Sequence, residues 1–299
     1  MMLDEKDSAI RIRVDPANPG QFFACCGLLE LADRLWSGAE GWFEKGGSRF
    51  FLRPVHAVTE ESHDATELFA AIIGCRLTNN MSPAQLQRSE DLSSMPQKER
   101  ESDPELENEK KELDRLWRES PLIIHEPFRI QLDWFMDRHA GGDTFKTWAG
   151  QQSVFEIARG MKEALESKEW RRLPSEDWLM TRTRVSSLPF NFDSDLGGLG
   201  SGRDVGFSFD PLKNIGVQSR PILEFTGFVG LQRFRPSRIN QENRFCYFCW
   251  KNPQTPEIAA PAACGVTAMP DADSFEFRLL YRTKYLKSFL PANPLPKRS

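Results

Sequence analysis

Residues 219–239, Ser-Arg-Pro-Ile-Leu-Glu-Phe-Thr-Gly-Phe-Val-Gly-Leu-Gln-Arg-Phe-Arg-Pro-Ser-Arg-Ile, carry an apolar stretch straight into Arg233, Arg235 and Arg238. Ser219 is a candidate helix cap, and Pro221 suits the first turn, where its missing N–H costs nothing. Apolar positions continue to Leu231, after which Pro236 holds the chain out of helix. The spacing predicts a helix whose exit bears a cationic cluster. Planar, forked guanidinium groups suit phosphates, base edges and base faces better than lysines do. Nucleic acid is the chemistry these residues point to, although arginines at the negative end of a helix are also the ordinary pattern of a solvated surface.

Other motifs carry less. Gly197 and Gly202 have the spacing of a phosphate loop, but Arg203-Asp204 stands where Lys-Ser/Thr would reach phosphate and magnesium. The Gly-rich segment with Arg203 retains a use as a backbone contact to nucleic acid. Cys246 and Cys249 form a single C-x-x-C with Cys264 farther on. On a strand, residues three apart face opposite sides and cannot share a zinc ion, so the thiols read as buried. His56, His63, His125 and His139 are scattered, and Cys25 and Cys26 sit among Phe and Leu as core thiols do. Asp133 and Asp137, four apart, read as surface carboxylates rather than metal ligands. No metal or cofactor site follows.

The elements that must position these residues read as α+β: mixed, mainly antiparallel sheet with packed helices and a charged helical insertion. Alternation of Ile10, Ile12 and Val14 with Arg11 and Arg13 predicts a strand. Asn18 is a candidate N-cap, Pro19 a first helical residue and Gln21 a capping-box partner for a helix to Trp36. Further expectations are one or two strands in Gly41–Arg53, a helix over Asp64–Arg76, a strand over Leu122–Trp134 with Pro127 at an edge or bulge, and a helix over Gln151–Glu166. A strand is expected over Arg182–Ser187, then a loop over Phe190–Phe209, with strands near Phe245–Trp250 and Phe275–Tyr285. The polar run Gln87–Asp103 predicts a mobile loop, followed by a charged helix over Pro104–Arg118. The chain therefore divides into an N-terminal α/β part (1–81), an insertion (82–120) and a C-terminal α+β part (121–299), the first and last either separate or one domain.

The 299 residues carry a net charge of −4, which argues against a polycation that binds nucleic acid through bulk charge. The charge is uneven: from Ser201 onward 14 Lys and Arg face 8 Asp and Glu, leaving 25 against 35 before it. A local basic surface on an otherwise acidic chain fits a protein working inside an assembly. The charged N-terminus lacks an apolar core, and no apolar run approaches the roughly 18 residues of a membrane span, so a cytoplasmic location with free thiols and no membrane partner is expected.

Four blocks carry a resemblance: Asp15-Pro-Ala-Asn-Pro-Gly-Gln-Phe-Phe-Ala-Cys-Cys-Gly-Leu-Leu-Glu-Leu-Ala32, Lys146-Thr-Trp-Ala-Gly-Gln-Gln152, Asp204-Val-Gly-Phe-Ser208, and Arg220-Pro221 through Gly230-Leu-Gln-Arg-Phe-Arg-Pro236. In this order they resemble the third "Csb" family of type I-U CRISPR systems, a short large-subunit-like component of a Cascade surveillance complex. The blocks span most of the chain and omit 82–120. The resemblance implies a non-catalytic subunit, without a cofactor, beside crRNA-bound backbone subunits. It would contact target double-stranded DNA, recognise the protospacer-adjacent motif, aid duplex opening and help recruit the helicase-nuclease, while guide pairing reads the sequence. On chemistry, the contact residues are Lys146, Gln151, Gln152, Arg182, Arg184, Arg203, Gln232, Arg233, Phe234, Arg235 and Arg238. Gln232 and one arginine would read base edges, the other cations would hold phosphates, and Phe234 would either wedge a base step or pack in the core. The rival readings are a crRNA-processing endoribonuclease with a histidine base and a scaffold whose basic face meets only protein.

Overall fold

The computed structural model describes residues 8–56, 63–136, 142–148, 152–185, 187–197, 217–239, 243–267, 269, 271–281 and 287–296. Strand β1 (Ile10–Arg13) alternates buried and exposed residues as its sequence requires. Asn18 caps helix α1 (Pro19–Leu35) through bonds from the Gly20 and Gln21 N–H groups. Gln21 does not close a capping box; its Oε1 accepts from the Asp15 N–H at 2.7 Å and ties the entering turn instead. Strands β2 (Ala39–Phe43) and β3 (Arg49–Pro54) complete an antiparallel sheet in the order β1-β3-β2.

Helix α2 (Ala65–Gly74), capped by Asp64, leads to the short strand β4 (Leu77–Thr78). Where the composition predicts a mobile loop, the chain forms α3 (Pro83–Ser94) and α4 (Gln97–Glu101) before α5 (Pro104–Glu119). The correction has a local cause. Ser82 and Gln85 make a full capping box with Pro83 in the first turn, so α3 starts firmly despite its polarity. Leu92 then packs with Leu113 of α5 and Met81 in a small core of the insertion's own. Ion pairs Arg88–Glu109 and Arg100–Glu107 join the helices across it.

The expected strand over Leu122–Trp134 is a hairpin, β5 (Leu122–Ile124) and β6 (Ile130–Leu132), which with β4 forms a sheet in the order β4-β5-β6. Pro127, after a cis bond from Glu126, sits in its turn rather than at a strand edge. Helix α6 (Val154–Ala164) follows, then β7 (Thr183–Val185), the short α7 (Ser194–Gly197) and β8 (Val217–Ser219), which pairs antiparallel with β7. Helix α8 (Pro221–Gly230) has Arg220, not Ser219, at its N-cap position, because Ser219 ends β8. Strands β9 (Ser237–Arg238) and β10 (Arg244–Cys249), helix α9 (Pro256–Ala263), and strands β11 (Asp273–Tyr281), β12 (Lys287–Phe289) and β13 (Asn293–Pro294) complete the described chain. They form an antiparallel sheet in the order β12-β11-β10-β9, with β13 beside β11. The fold is α+β with antiparallel sheets.

One continuous core draws side chains from both ends of the sequence and passes over the insertion. Its axis is the helix pair α1 and α8. Every residue of α8 is buried, as is α1 from Pro19 through Ala32. Such all-round burial explains why neither helix has a clean polar face in its sequence. Phe22 of α1 stacks on Tyr247 of β10 at 4.3 Å, and Trp134 and Trp148 pack against Phe228 of α8. Among the described residues, no helix is long and apolar enough to cross a membrane.

Candidate nucleic-acid interface

The two central helices touch backbone to backbone. A Cβ added to Gly27 would lie 1.8 Å from the Thr226 carbonyl oxygen, and one added to Gly230 would lie 2.1 Å from that of Phe23. Both ends of the pair are tied. At the N-terminal ends, the Asn18 amide donates to Asp193 Oδ1 at 2.8 Å, and Arg220 Nη1 donates to both Asp193 oxygens at 3.0 and 2.8 Å and to Asp195 at 2.8 Å. The Glu224 carboxylate accepts the N–H groups of Phe192 and Asp193, fixing the same loop onto α8. At the C-terminal ends, Arg233 bridges Glu30 of α1 at 2.9 Å and Glu257 of α9 at 2.8 Å. The helices thus run side by side in one direction.

This arrangement reassigns several sequence-predicted site residues. Gln232 has both amide ends engaged within the protein: Oε1 accepts the N–H groups of Asp133 and Trp134 at 3.1 Å, and Nε2 donates to Asp133 Oδ1 at 3.0 Å. It clamps the turn after β6 to the end of α8 and is not displayed as a base reader. Arg233 is one-third exposed and is neutralised by its two glutamates. Phe234 is fully buried and stacked on Trp250 at 6.0 Å, so it is a core residue and not a wedge. Arg235 is half-buried against Cys264. Arg238, on the edge strand β9, is exposed and donates to Asn243 at 3.2 Å.

Arg182 and Arg184 are both exposed, Arg184 on β7 and Arg182 just before it. Thr183 pairs with Ser219, which sets this ribbon at the start of α8, whereas Arg233 to Arg238 follow its end. Ten helical residues, roughly 15 Å, separate the two groups. The cations form two clusters, not one face. Lys146 lies 5.7 Å over the ring of Trp148, and Gln152 is half-buried just before α6. Gln151 and Arg203 lie outside the described residues.

Sequence reasoning missed the buried Asn18–Asp193–Arg220 cluster, because its members are 27 and 175 residues apart and only the fold joins them. Asp193 is 1 % exposed and Arg220 6 %. Burial outweighs the pull of Arg220 and holds the Asp193 carboxyl above the usual carboxylate range. Three of the four blocks behind the family resemblance meet here in space: the first is α1, the last is α8 and its exit, and Trp148 of the second packs on Phe228.

Nucleophilic chemistry finds no support in the thiols. Burial drives the Cys25, Cys26 and Cys249 thiols upward and puts Cys75 and Cys264 at about 11, so they stay protonated near neutrality. Along β10, Cys246 is half-buried and Cys249 buried, on opposite faces. Among the described residues, no three His, Cys, Asp or Glu side chains gather as metal ligands. Alkylation of the native chain is expected to label Cys246 and Cys264 first and Cys25, Cys26, Cys75 and Cys249 only after denaturation. Peptide mass mapping checks this order, and early labelling of Cys25 or Cys26 would contradict it.

No protein family, curated protein or solved structure matches this chain.

Proposed function

We propose that the chain is a non-catalytic, large-subunit-like component of a cytoplasmic type I CRISPR Cascade, as its four blocks resemble. It contacts target double-stranded DNA beside crRNA-bound backbone subunits, takes part in recognising the protospacer-adjacent motif and opening the duplex, and helps recruit the helicase-nuclease. The observation that carries this reading is the exposed guanidinium pair Arg182 and Arg184 on a short ribbon whose base is held by the buried Arg220 cluster. Flexible surface cations hold phosphates poorly; a pair mounted on a tied ribbon spends little ordering entropy on doing so. Arg238, exposed on a sheet edge, supplies a second phosphate contact at the other end of α8.

The test uses the assembled particle with target duplex across a salt series. Arg182→Ala with Arg184→Ala is expected to weaken binding on all sequences alike and to reduce the slope of log K against log salt by about 0.9 per lost contact. Motif preference stays unchanged, since these residues hold phosphate. Unchanged affinity and slope in a correctly assembled variant particle would overturn the DNA-contact reading and favour the scaffold.

A further inference from the structure

The insertion closes against the body only in part. Bounded by α3 and α5 of the insertion and by β4, the residue after β5 and α6 of the body lies a cavity of about 990 Å³. This is the upper end of the range for small-molecule sites, which runs roughly from 300 to 1,000 Å³.

Its lining is rich in hydrogen-bond donors. Arg76 Nη2 lies 3.1 Å from His125 Nδ1, and Thr78 Oγ1 lies 2.8 Å from His125 Nε2. A guanidinium only donates, so Nδ1 accepts and the neutral ring carries its proton on Nε2, which donates to Thr78. The Thr78 hydroxyl proton is then left to point elsewhere. Beside it, Asn79 is 8 % exposed; its Oδ1 accepts from the Met81 N–H, while its Nδ2 is buried with no hydrogen-bond partner. An unanswered buried donor is costly, and a small turn of the Asn79 amide toward the cavity would let an acceptor seated there answer it.

The wall is aromatic. Trp117 of α5 and Phe155 of α6, both half-buried, meet edge to face at 5.3 Å. Arg159 lies 5.8 Å over Phe155, held by Glu156 at 2.5 Å and Glu163 at 3.6 Å, and Arg76, also in the lining, is exposed. Flat apolar rings, two donors and an exposed guanidinium are the parts that hold an unstacked base and its phosphate. A duplex is too wide to enter.

We infer that this cavity binds a single unpaired nucleotide: the base against Trp117 and Phe155, an acceptor edge on Thr78 and Asn79, and the phosphate at Arg76. Glu156 and Glu163 keep Arg159 occupied, and with Glu90 also in the lining they disfavour a second phosphate. The site belongs to the isolated chain and does not depend on the Cascade reading.

The experiment titrates the full-length chain with the four nucleoside monophosphates and, separately, with short single-stranded oligonucleotides, followed by calorimetry and tryptophan fluorescence. Trp117→Leu is expected to weaken binding by about tenfold, and Asn79→Ala and Arg76→Gln by several-fold. Arg76 is exposed, so its replacement leaves the fold intact and keeps the test valid if Asn79→Ala unfolds. Arg182→Ala with Arg184→Ala leaves this binding unchanged, which separates it from the duplex contact. Binding of monophosphates places the recognition in the nucleotide itself. Binding of oligonucleotides alone, lost with Trp117→Leu, places it in a strand. No binding of either, or binding indifferent to Trp117, Asn79 and Arg76, overturns the inference.

Discussion

Gly27→Ala and Gly230→Ala each lower the unfolding free energy by about 3 kcal/mol or more, at the top of the range for overpacked cores. The reason is geometric. The methyl group would land 1.8 Å or 2.1 Å from a carbonyl oxygen of the facing helix, and the obstacle is backbone, which cannot rotate away. The helices must separate by more than an ångström, and the Asn18–Asp193–Arg220 and Glu30–Arg233 ties at their two ends resist that movement. Gly74→Ala is the control: a Cβ there meets nothing within 4 Å, and the change is expected to stabilise α2 by about 0.4–1 kcal/mol. Urea unfolding of the three variants decides the matter. Equal midpoints for Gly27→Ala and Gly74→Ala would mean that α1 and α8 do not pack as described.

Asp193→Ala carries the second large effect, a loss of about 3 kcal/mol, because it strips a buried guanidinium of its principal counter-charge. Asp195, 40 % exposed, remains a partner of Arg220 and keeps the loss from being larger. Asp193→Asn costs less than Asp193→Ala, since an amide still accepts from Arg220 and Asn18. The pH dependence has a definite sign. The folded chain holds the Asp193 proton more tightly than the unfolded chain does. Its contribution to stability is therefore full below the ordinary carboxylate value and declines as pH rises through the higher folded one. Asp193→Asn removes that decline. A steeper loss of stability for the asparagine variant over the same acid range would contradict this sign.

Much of the frame was legible because local signals were strong. Asn18-Pro19 and Asp64 announced α1 and α2, the alternation in Ile10–Arg13 announced β1, and Pro104 opened α5 where its charge pattern placed it. In the insertion capping outweighs composition: Ser82-Pro83-Ala84-Gln85 contains the start of α3, and Leu92 packed with Leu113 of α5 and Met81 is enough to hold it. The arginines misled in a different way. Their type pointed to phosphate, yet Arg233 answers two glutamates and Gln232 answers a turn, partners 24 to 203 residues distant that no local window contains. Exposure of Arg182 and Arg184 followed from a strand in the region expected; the aromatic cavity under the insertion had no local signature, since its walls come from α3, α5, β4, α6 and the residue after β5.

The pairing of α1 with α8 also constrains how the polypeptide is made. A nascent chain leaves the ribosome with α1 formed early and apolar on nearly every side, but the helix that covers it arrives some two hundred residues later. Through most of synthesis the first helix has only its own short sheet for shelter, the circumstance in which slow, long-range closure invites association with other chains. Truncations that stop short of residue 220 should accordingly accumulate in inclusion bodies, and holdase chaperones should crosslink to the stalled chain through α1.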